Sequence, residues 1–153
     1  MVSAPVEMTE FRAEMRGQVD VLQRAGKACR MPRLGMMVEV PAAALMATEF
    51  DTDFYSIGTN DLIQYTMAVA RDEHRLNYLT VGANPAVLTL IEGVANVGRT
   101  RNLETCVCGD MASDPAMIGH LLRAGIRALS VAPTAVTVVK QAVRRWPAGE
   151  GRE

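Results

Sequence analysis

The sequence predicts an α/β domain with a parallel sheet, in which about four strand–helix units follow a leading helix. Short apolar runs alternate with longer amphipathic segments, and polar or small residues stop each run. Strands that alternate with helices form a parallel sheet joined by crossover helices. No Gly-rich dinucleotide fingerprint follows any run, which disfavours a nucleotide-binding Rossmann fold. A (β/α)8 barrel usually needs about 250 residues, so these 153 residues correspond to roughly its second, C-terminal half.

The elements follow from the spacing of apolar residues. Residues 6–25 predict an amphipathic helix, closed by Gly26, whose apolar positions are Phe11, Met15, Val19 and Leu22. Apolar runs too short for helices predict strands over residues 35–41, 54–58, 105–108 and 128–131. Further helices are predicted over residues 42–49, 62–69, 85–97, 115–124 and 134–146. Residues 1–147 thus form one partial-barrel domain, and residues 148–153 a frayed tail.

The composition limits the function classes. Lys and Arg total 16 and Asp and Glu total 17, a net charge of −1, which is no footprint for nucleic acid or an anionic membrane. The three cysteines are too few and too unevenly spaced for a disulfide framework and fit a reducing cytoplasm. No stretch reaches the roughly 20 apolar residues of a membrane span, and no signal peptide is visible. We therefore expect a cytoplasmic protein without nucleic-acid or membrane partners.

Polar side chains stand where three of the predicted strands stop. Glu39 closes the first strand, Asn60 and Asp61 follow the second, and Cys108 ends the third. The carboxyl ends of parallel strands face the ligand in α/β folds, so these residues could converge on one site. Glu39 and Asp61 suit Mg²⁺, which takes one or two carboxylates and completes its octahedron with water and substrate phosphate.

A phosphate group is the second ligand that this pattern favours. Asp61 would lie at a helix N-terminus, whose backbone amides, together with the Asn60 side chain, suit an anion. Arg71 lies ten residues beyond Asp61 and could bind phosphate oxygens through its guanidinium fork. Gly109 would let the backbone approach a ligand closely.

Each of these residues also has a plainer interpretation. Glu39 could be a buried acid paired with a basic side chain. Asn60 and Asp61 could form an ordinary helix cap, and Arg71 could be a solvated surface residue. Cys106 and Cys108 lie on the same face of the third predicted strand. Cys106 is typical of a buried cysteine that only packs.

Four segments of the chain carry a family signature. Residues 53–71 read DFYSIGTNDLIQYTMAVAR, and GMMVEVPAAA, CGDMASDP and LSVAP stand at residues 35–44, 108–115 and 129–133. In this order they resemble the phosphoenolpyruvate (PEP)-utilising enzymes. The chain is most similar to the PEP–protein phosphotransferases, enzyme I of the bacterial sugar phosphotransferase system, over almost all of residues 1–146.

The resemblance implies a PEP and Mg²⁺ site at the mouth of a (β/α)8 barrel. Phosphoryl transfer would run from PEP to a protein histidine and then to the phosphocarrier protein HPr. Glu39 and Asp61 would be the Mg²⁺ ligands, and Asn60 and Arg71 would contact the phosphate. Cys108 would be the acid that protonates the methylene carbon of enolpyruvate as pyruvate forms.

The chain departs from the family pattern mildly at Tyr55, Ala70 and Asp110. Length is the larger departure, because the family's earlier barrel strands supply two further phosphate-binding arginines and a separate domain carries the phosphorylated histidine. Neither His74 nor His120 lies in the Gly-rich setting of that histidine.

Two other interpretations stay open. Pyruvate phosphate dikinase and PEP synthase share the Glu, Asn-Asp and Cys positions, although residues 64–69 resemble enzyme I more. A stand-alone half-barrel could also be a catalytically inactive binding or oligomerisation module. Because a half-barrel exposes two strand edges, which invite pairing, we expect homo-oligomers formed through those edges or through the helical face that members of the resembled family use to dimerise.

Overall fold

The structure is a computed structural model that describes residues 1–68 and 83–147. Its first part contains α1 (Pro5–Arg24), β1 (Gly35–Val38), α2 (Pro41–Leu45), a 3-10 turn (Ala47–Glu49), β2 (Phe54–Gly58) and α3 (Thr59–Met67). Its second part contains α4 (Pro85–Arg101), β3 (Glu104–Cys108), α5 (Asp110–Ser113), α6 (Pro115–Arg123), β4 (Ala128–Leu129), a 3-10 turn (Pro133–Ala135) and α7 (Val136–Arg145). No helix in these ranges is both long and apolar enough to cross a bilayer.

The strands of the described residues form one sheet in chain order, β1-β2-β3-β4. Every pairing is parallel, with Met37 opposite Ser56 and Ser56 opposite Cys106. The predicted α/β class and parallel sheet are therefore confirmed. Parallel strands paired in chain order and separated by helices are the repeating unit of a (β/α)8 barrel.

The two faces of the sheet have different surroundings. On one face, side chains at most 2% exposed pack into the main hydrophobic cluster with α4; they are Met36, Val38, Tyr55, Ile57 and Val107. On the other face Met37 is 45% exposed, and Ser56, Cys106 and Cys108 are half-buried. Strand alternation sends successive side chains to opposite faces, so the polar and sulfur-bearing side chains share the open face.

Several predicted element boundaries are wrong. Strand β1 ends at Val38 because Pro41 already begins α2. Helix α3 begins at Thr59, three residues before the prediction, and the short helix α5 was not predicted. The predicted fourth strand, 128–131, is only two residues long, and the last helix is preceded by a 3-10 turn. These differences lie close to strand ends, where turns and not apolar periodicity determine the backbone conformation.

The leading helix packs with a different face from the one its apolar spacing indicates. Its buried residues are Met8 and Arg12, whereas Phe11 is 52% exposed. The Arg12 guanidinium lies 2.8 Å from the carboxylate of Asp51 and 3.4 Å from that of Asp53. A long cationic side chain can be buried when carboxylates pair with its charge. This pairing, and not the apolar spacing, determines which face of α1 packs against the sheet.

Asp53 connects three elements at the amino ends of the strands. Its carboxylate accepts a 2.6 Å hydrogen bond from the backbone N–H of Leu34, just before β1, and contacts Arg12 of α1. The Leu34 hydrogen bond is the main reason that the pKa of Asp53 lies below its usual value of 3.8, and Arg12 adds to the effect. This end of the sheet is therefore fixed by polar contacts.

A second polar anchor lies at the same end of β2. The buried hydroxyl of Tyr55 donates a 2.6 Å hydrogen bond to the carbonyl of Ala47, and the Arg101 guanidinium lies 3.0 Å from the same hydroxyl. Arg101 also donates to the carbonyl of Phe50 at 2.9 Å. Burial raises the pKa of Tyr55, so this hydroxyl stays protonated at neutral pH.

We predict that Asp53→Asn destabilises the fold at pH 7 by about 1 kcal/mol or less, because the side chain is partly solvent-screened. The pKa is lower in the folded state, so the stabilisation is complete above the unfolded value and disappears as pH falls through the folded value. Urea unfolding from pH 7 to pH 2.5 measures this. The difference in free energy of unfolding between Asp53→Asn and wild type should disappear below about pH 4. The control, Asp20→Asn at an exposed position of α1, should show no such trend. A pH-independent difference for Asp53→Asn would contradict the assignment.

Candidate functional site

Five of the predicted site residues lie at the carboxyl ends of β1, β2 and β3. Glu39 follows β1, Asn60 and Asp61 lie in the first turn of α3 directly after β2, and Cys108 and Gly109 span the end of β3. Because the three strands are parallel and paired in register, these positions share one edge of the sheet.

The side chain of Glu39 lies against the end of β2. A Cβ added to Gly58 would lie 3.1 Å from the Cβ of Glu39 and 3.2 Å from its Oε2. The absence of a side chain at Gly58 therefore makes room for the carboxylate. Glu39 is half-buried and forms no ion pair with any residue in the described ranges, so a basic partner of the kind that the plainer interpretation requires is not found there.

Asn60 joins the end of β2 to the end of β3. Its Oδ1 accepts a 2.9 Å hydrogen bond from the backbone N–H of Asp110. The N-cap of α3 is Gly58, and no side chain caps that helix, so the ordinary-cap interpretation of Asn60 is wrong. With Oδ1 engaged, the donor NH2 group of the amide is left for another acceptor.

Gly109 is required for this contact. Its φ is +97°, and a Cβ there would lie 2.6 Å from Thr59 Oγ1 and 2.7 Å from Asn60 Oδ1. No side chain fits at that separation, and the backbone conformation is one that L-residues rarely adopt. The glycine thus lets the β3–α5 turn lie directly against the first turn of α3.

Thr59 is a residue of the site that the sequence did not reveal. It is fully buried, and its hydroxyl donates a 2.7 Å hydrogen bond to the carbonyl of Cys108. The two residues are 49 positions apart, so no local spacing could have indicated the contact. This hydrogen bond fixes the position of the Cys108 backbone relative to α3.

The Cys108 thiol contacts two polar groups at the end of β2. Its Sγ is 3.4 Å from the carbonyl oxygen of Ile57 and 3.4 Å from Ser56 Oγ. Cys106 Sγ is 3.5 Å from the same Ser56 hydroxyl. Ser56 is the second residue that sequence reasoning missed, although its alternation with Gly58 on one strand face was a usable signal.

The site has the oxygen donors that Mg²⁺ prefers. Asp61 lies in the first turn of α3, where the helix dipole favours negative charge, and Glu39 reaches the end of the strand that precedes that helix. Over residues 1–68 and 83–147, no three His, Cys, Asp or Glu side chains cluster as a metal site. Two carboxylates nevertheless suffice for Mg²⁺, because water and substrate phosphate complete its coordination.

Of the three remaining residues, Arg71, His74 and His120, the structure describes only His120. Arg71 and His74 lie outside the described ranges. His120 lies in α6 and lines a groove of about 380 Å³ between α6 and α7, together with Arg123, Arg145 and Trp146. That groove includes none of the predicted ligands for Mg²⁺ or phosphate.

Comparison with known proteins identifies the family that the chain resembles. Residues 1–147 match the family model described as PEP-utilising enzyme, PEP-binding domain. The chain is 38% identical over 148 residues to the phosphoenolpyruvate-protein phosphotransferase of Geobacillus stearothermophilus, covering 95% of this chain and 26% of that protein. It is 43% identical to the one of Latilactobacillus sakei, with the same coverage. The phosphoenolpyruvate synthase of Pyrococcus furiosus is 45% identical over 112 residues, or 71% of this chain and 14% of that protein. The chain thus spans about a quarter of the phosphotransferases it matches.

We predict that Gly109→Ala destabilises the chain by roughly 2–4 kcal/mol, since it adds both backbone strain and a clash with Thr59 and Asn60. Gly93→Ala is the matched control, because a Cβ there meets no atom within 4 Å. Since Ala favours the helix more than Gly, this variant should raise the free energy of unfolding by up to about 1 kcal/mol. Urea unfolding measures both variants. A Gly109→Ala variant as stable as wild type would show that the two turns are not tightly packed.

Proposed function

Because this chain belongs to the family of PEP-utilising enzymes, whose PEP-binding domain model it matches over residues 1–147, we propose that its strand-end site binds PEP together with Mg²⁺. We further propose that the bound PEP donates its phosphoryl group to a protein histidine, as in a PEP–protein phosphotransferase. The observation that carries the proposal is the meeting of Glu39, Asn60 and Cys108 at one edge of the sheet. The alternative of an inactive module assigns no role to this combination of carboxylate, amide and thiol.

Each polar group of the edge has a task in this reaction. Mg²⁺, held by Glu39 and Asp61, would supply neutralising charge for the phosphate oxygens. The NH2 group of Asn60 would donate a hydrogen bond to the phosphate, with Arg71 as a second proposed contact. Gly109 would allow the substrate to approach the β3–α5 turn.

The proton balance assigns Cys108 its part. The phosphorus–oxygen bond of PEP breaks as a histidine nitrogen attacks phosphorus, and the electron pair remains on the enolate oxygen of enolpyruvate. The imidazole N–H proton is released to solvent. Cys108 then gives its thiol proton to the methylene carbon, which yields pyruvate and a thiolate that recovers a proton from water.

The acceptor of the phosphoryl group is proposed by analogy with the relatives. A phosphotransferase role agrees with matches that cover 95% of the chain, against 71% for the PEP synthase. We propose that phosphate passes from the histidine to HPr for sugar transport in the cytoplasm. We also propose self-association through the edge strands β1 and β4 of the described sheet, which a monomeric mass by light scattering would disprove.

We predict that Asp61→Asn abolishes the Mg²⁺-dependent part of PEP binding and leaves the fold intact. In wild type, a ligand at one hundred times its Kd stabilises the fold by about 2.7 kcal/mol, so PEP and Mg²⁺ together should raise the melting temperature more than either alone. The variant should show no joint effect, whereas Asp20→Asn should behave as wild type. A joint shift of wild-type size in Asp61→Asn would disprove the metal role.

We predict that this chain, with Mg²⁺, catalyses exchange of the pyruvate methyl protons with D2O, because the Cys108 thiolate removes a methyl proton in the reverse of the step in which its thiol protonates enolpyruvate. Cys108→Ala should slow the exchange about 100-fold or more. Proton NMR of pyruvate measures it, and Cys29→Ala is the matched control. Equal exchange rates in wild type and Cys108→Ala would rule out Cys108 as the proton donor.

A further inference from the structure

Three side chains on the open face of β2 and β3 form a continuous chain of contacts. Ser56 Oγ lies 3.4 Å from Cys108 Sγ and 3.5 Å from Cys106 Sγ. Cys108 Sγ lies in turn 3.4 Å from the carbonyl oxygen of Ile57. The strand pairing fixes this arrangement, because Ser56 is in register with Cys106, and Gly58 with Cys108.

The direction of these hydrogen bonds follows from the groups involved. A carbonyl oxygen can only accept, so the Cys108 thiol donates its proton to Ile57. The Ser56 hydroxyl must then donate to the sulfur of Cys108, since that thiol has no second proton. Cys106 donates to the Ser56 oxygen, which leaves the serine proton directed at Cys108.

We propose that Ser56 is a positioning residue for Cys108, whose hydroxyl orients the thiol and stabilises the thiolate left behind when the proton moves to the substrate carbon. This inference rests on the proposed function of Cys108 as proton donor. Cys106 contributes by holding the serine hydroxyl in the donating orientation.

The Ser56 hydroxyl is needed once the Cys108 thiol has lost its proton. Once Cys108 has given up its proton, its sulfur carries negative charge and faces the Ile57 carbonyl oxygen without a hydrogen between them. The Ser56 hydroxyl is then the donor that remains in contact with the sulfur, and a hydrogen bond to a charged group favours that charged form. Within the described residues, ionisable side chains on this part of the sheet include Cys106 and Glu39, whose carboxylate lies over Gly58.

Alkylation of the folded chain tests this coupling without requiring activity. Iodoacetamide at fixed pH, with peptide mass spectrometry, gives a separate rate for each cysteine in wild type, Ser56→Ala and Ser56→Thr. Ser56→Ala should slow alkylation of Cys108 by roughly 3–10-fold, and Ser56→Thr should restore it. Cys29, which contacts the Val19 carbonyl of α1, is the internal control and should react equally in all three. An unchanged or faster Cys108 rate in Ser56→Ala would overturn the proposal.

The pyruvate exchange reaction separates this inference from the proposed function. Ser56→Ala should lower kcat for exchange and leave KM for pyruvate unchanged, with recovery in Ser56→Thr. If Cys108→Ala abolishes exchange while Ser56→Ala changes neither kcat nor Cys108 alkylation, only the role of Ser56 is wrong. If Cys108→Ala leaves exchange intact, both the proposed function of Cys108 and this inference are wrong.

Discussion

The close approach of two backbone turns at Gly109 is the constraint on which the site depends. The turn after β3 lies so near the start of α3 that no Cβ fits between them. Two hydrogen bonds use this proximity, from Asp110 N–H to Asn60 and from Thr59 to the Cys108 carbonyl. Together they connect the first turn of α3, which carries Asn60, to the end of β3, which carries Cys108.

The two ends of the sheet have separate tasks. At the amino ends, Arg12 and Asp53 connect α1 to the strands, and Tyr55 with Arg101 connects α4 to β2. These contacts pair charged and polar groups within the chain and stabilise the fold. At the carboxyl ends, Glu39 and the Asn60 NH2 group have no such internal partner in the described ranges, and groups of this kind can bind a ligand. Stability and function are thus divided along the strands, as in other parallel α/β folds.

The sequence predicted the parts of this structure that depend on local pattern. Four apolar runs became four parallel strands, and polar residues that stop those runs, such as Glu39 and Cys108, lie at one edge. It could not predict which face of α1 is buried, because Arg12 finds its carboxylates 39 and 41 positions away. Thr59 was missed for the same reason, since its partner, the Cys108 carbonyl, lies on β3. Long-range polar contacts leave no periodic signal in one sequence.

Amide chemical-shift mapping of the whole chain tests the central claim that this edge binds PEP. Titration with PEP and Mg²⁺ should shift the backbone amides of Gly58, Asn60 and Asp61 after β2, and those of Gly109 and Asp110 after β3. Each ligand alone should shift them less, because carboxylates, metal and phosphate complete one another's coordination. Shifts confined to the α6–α7 groove around Gly119 and Trp146, or no shifts with both ligands present, would contradict the account.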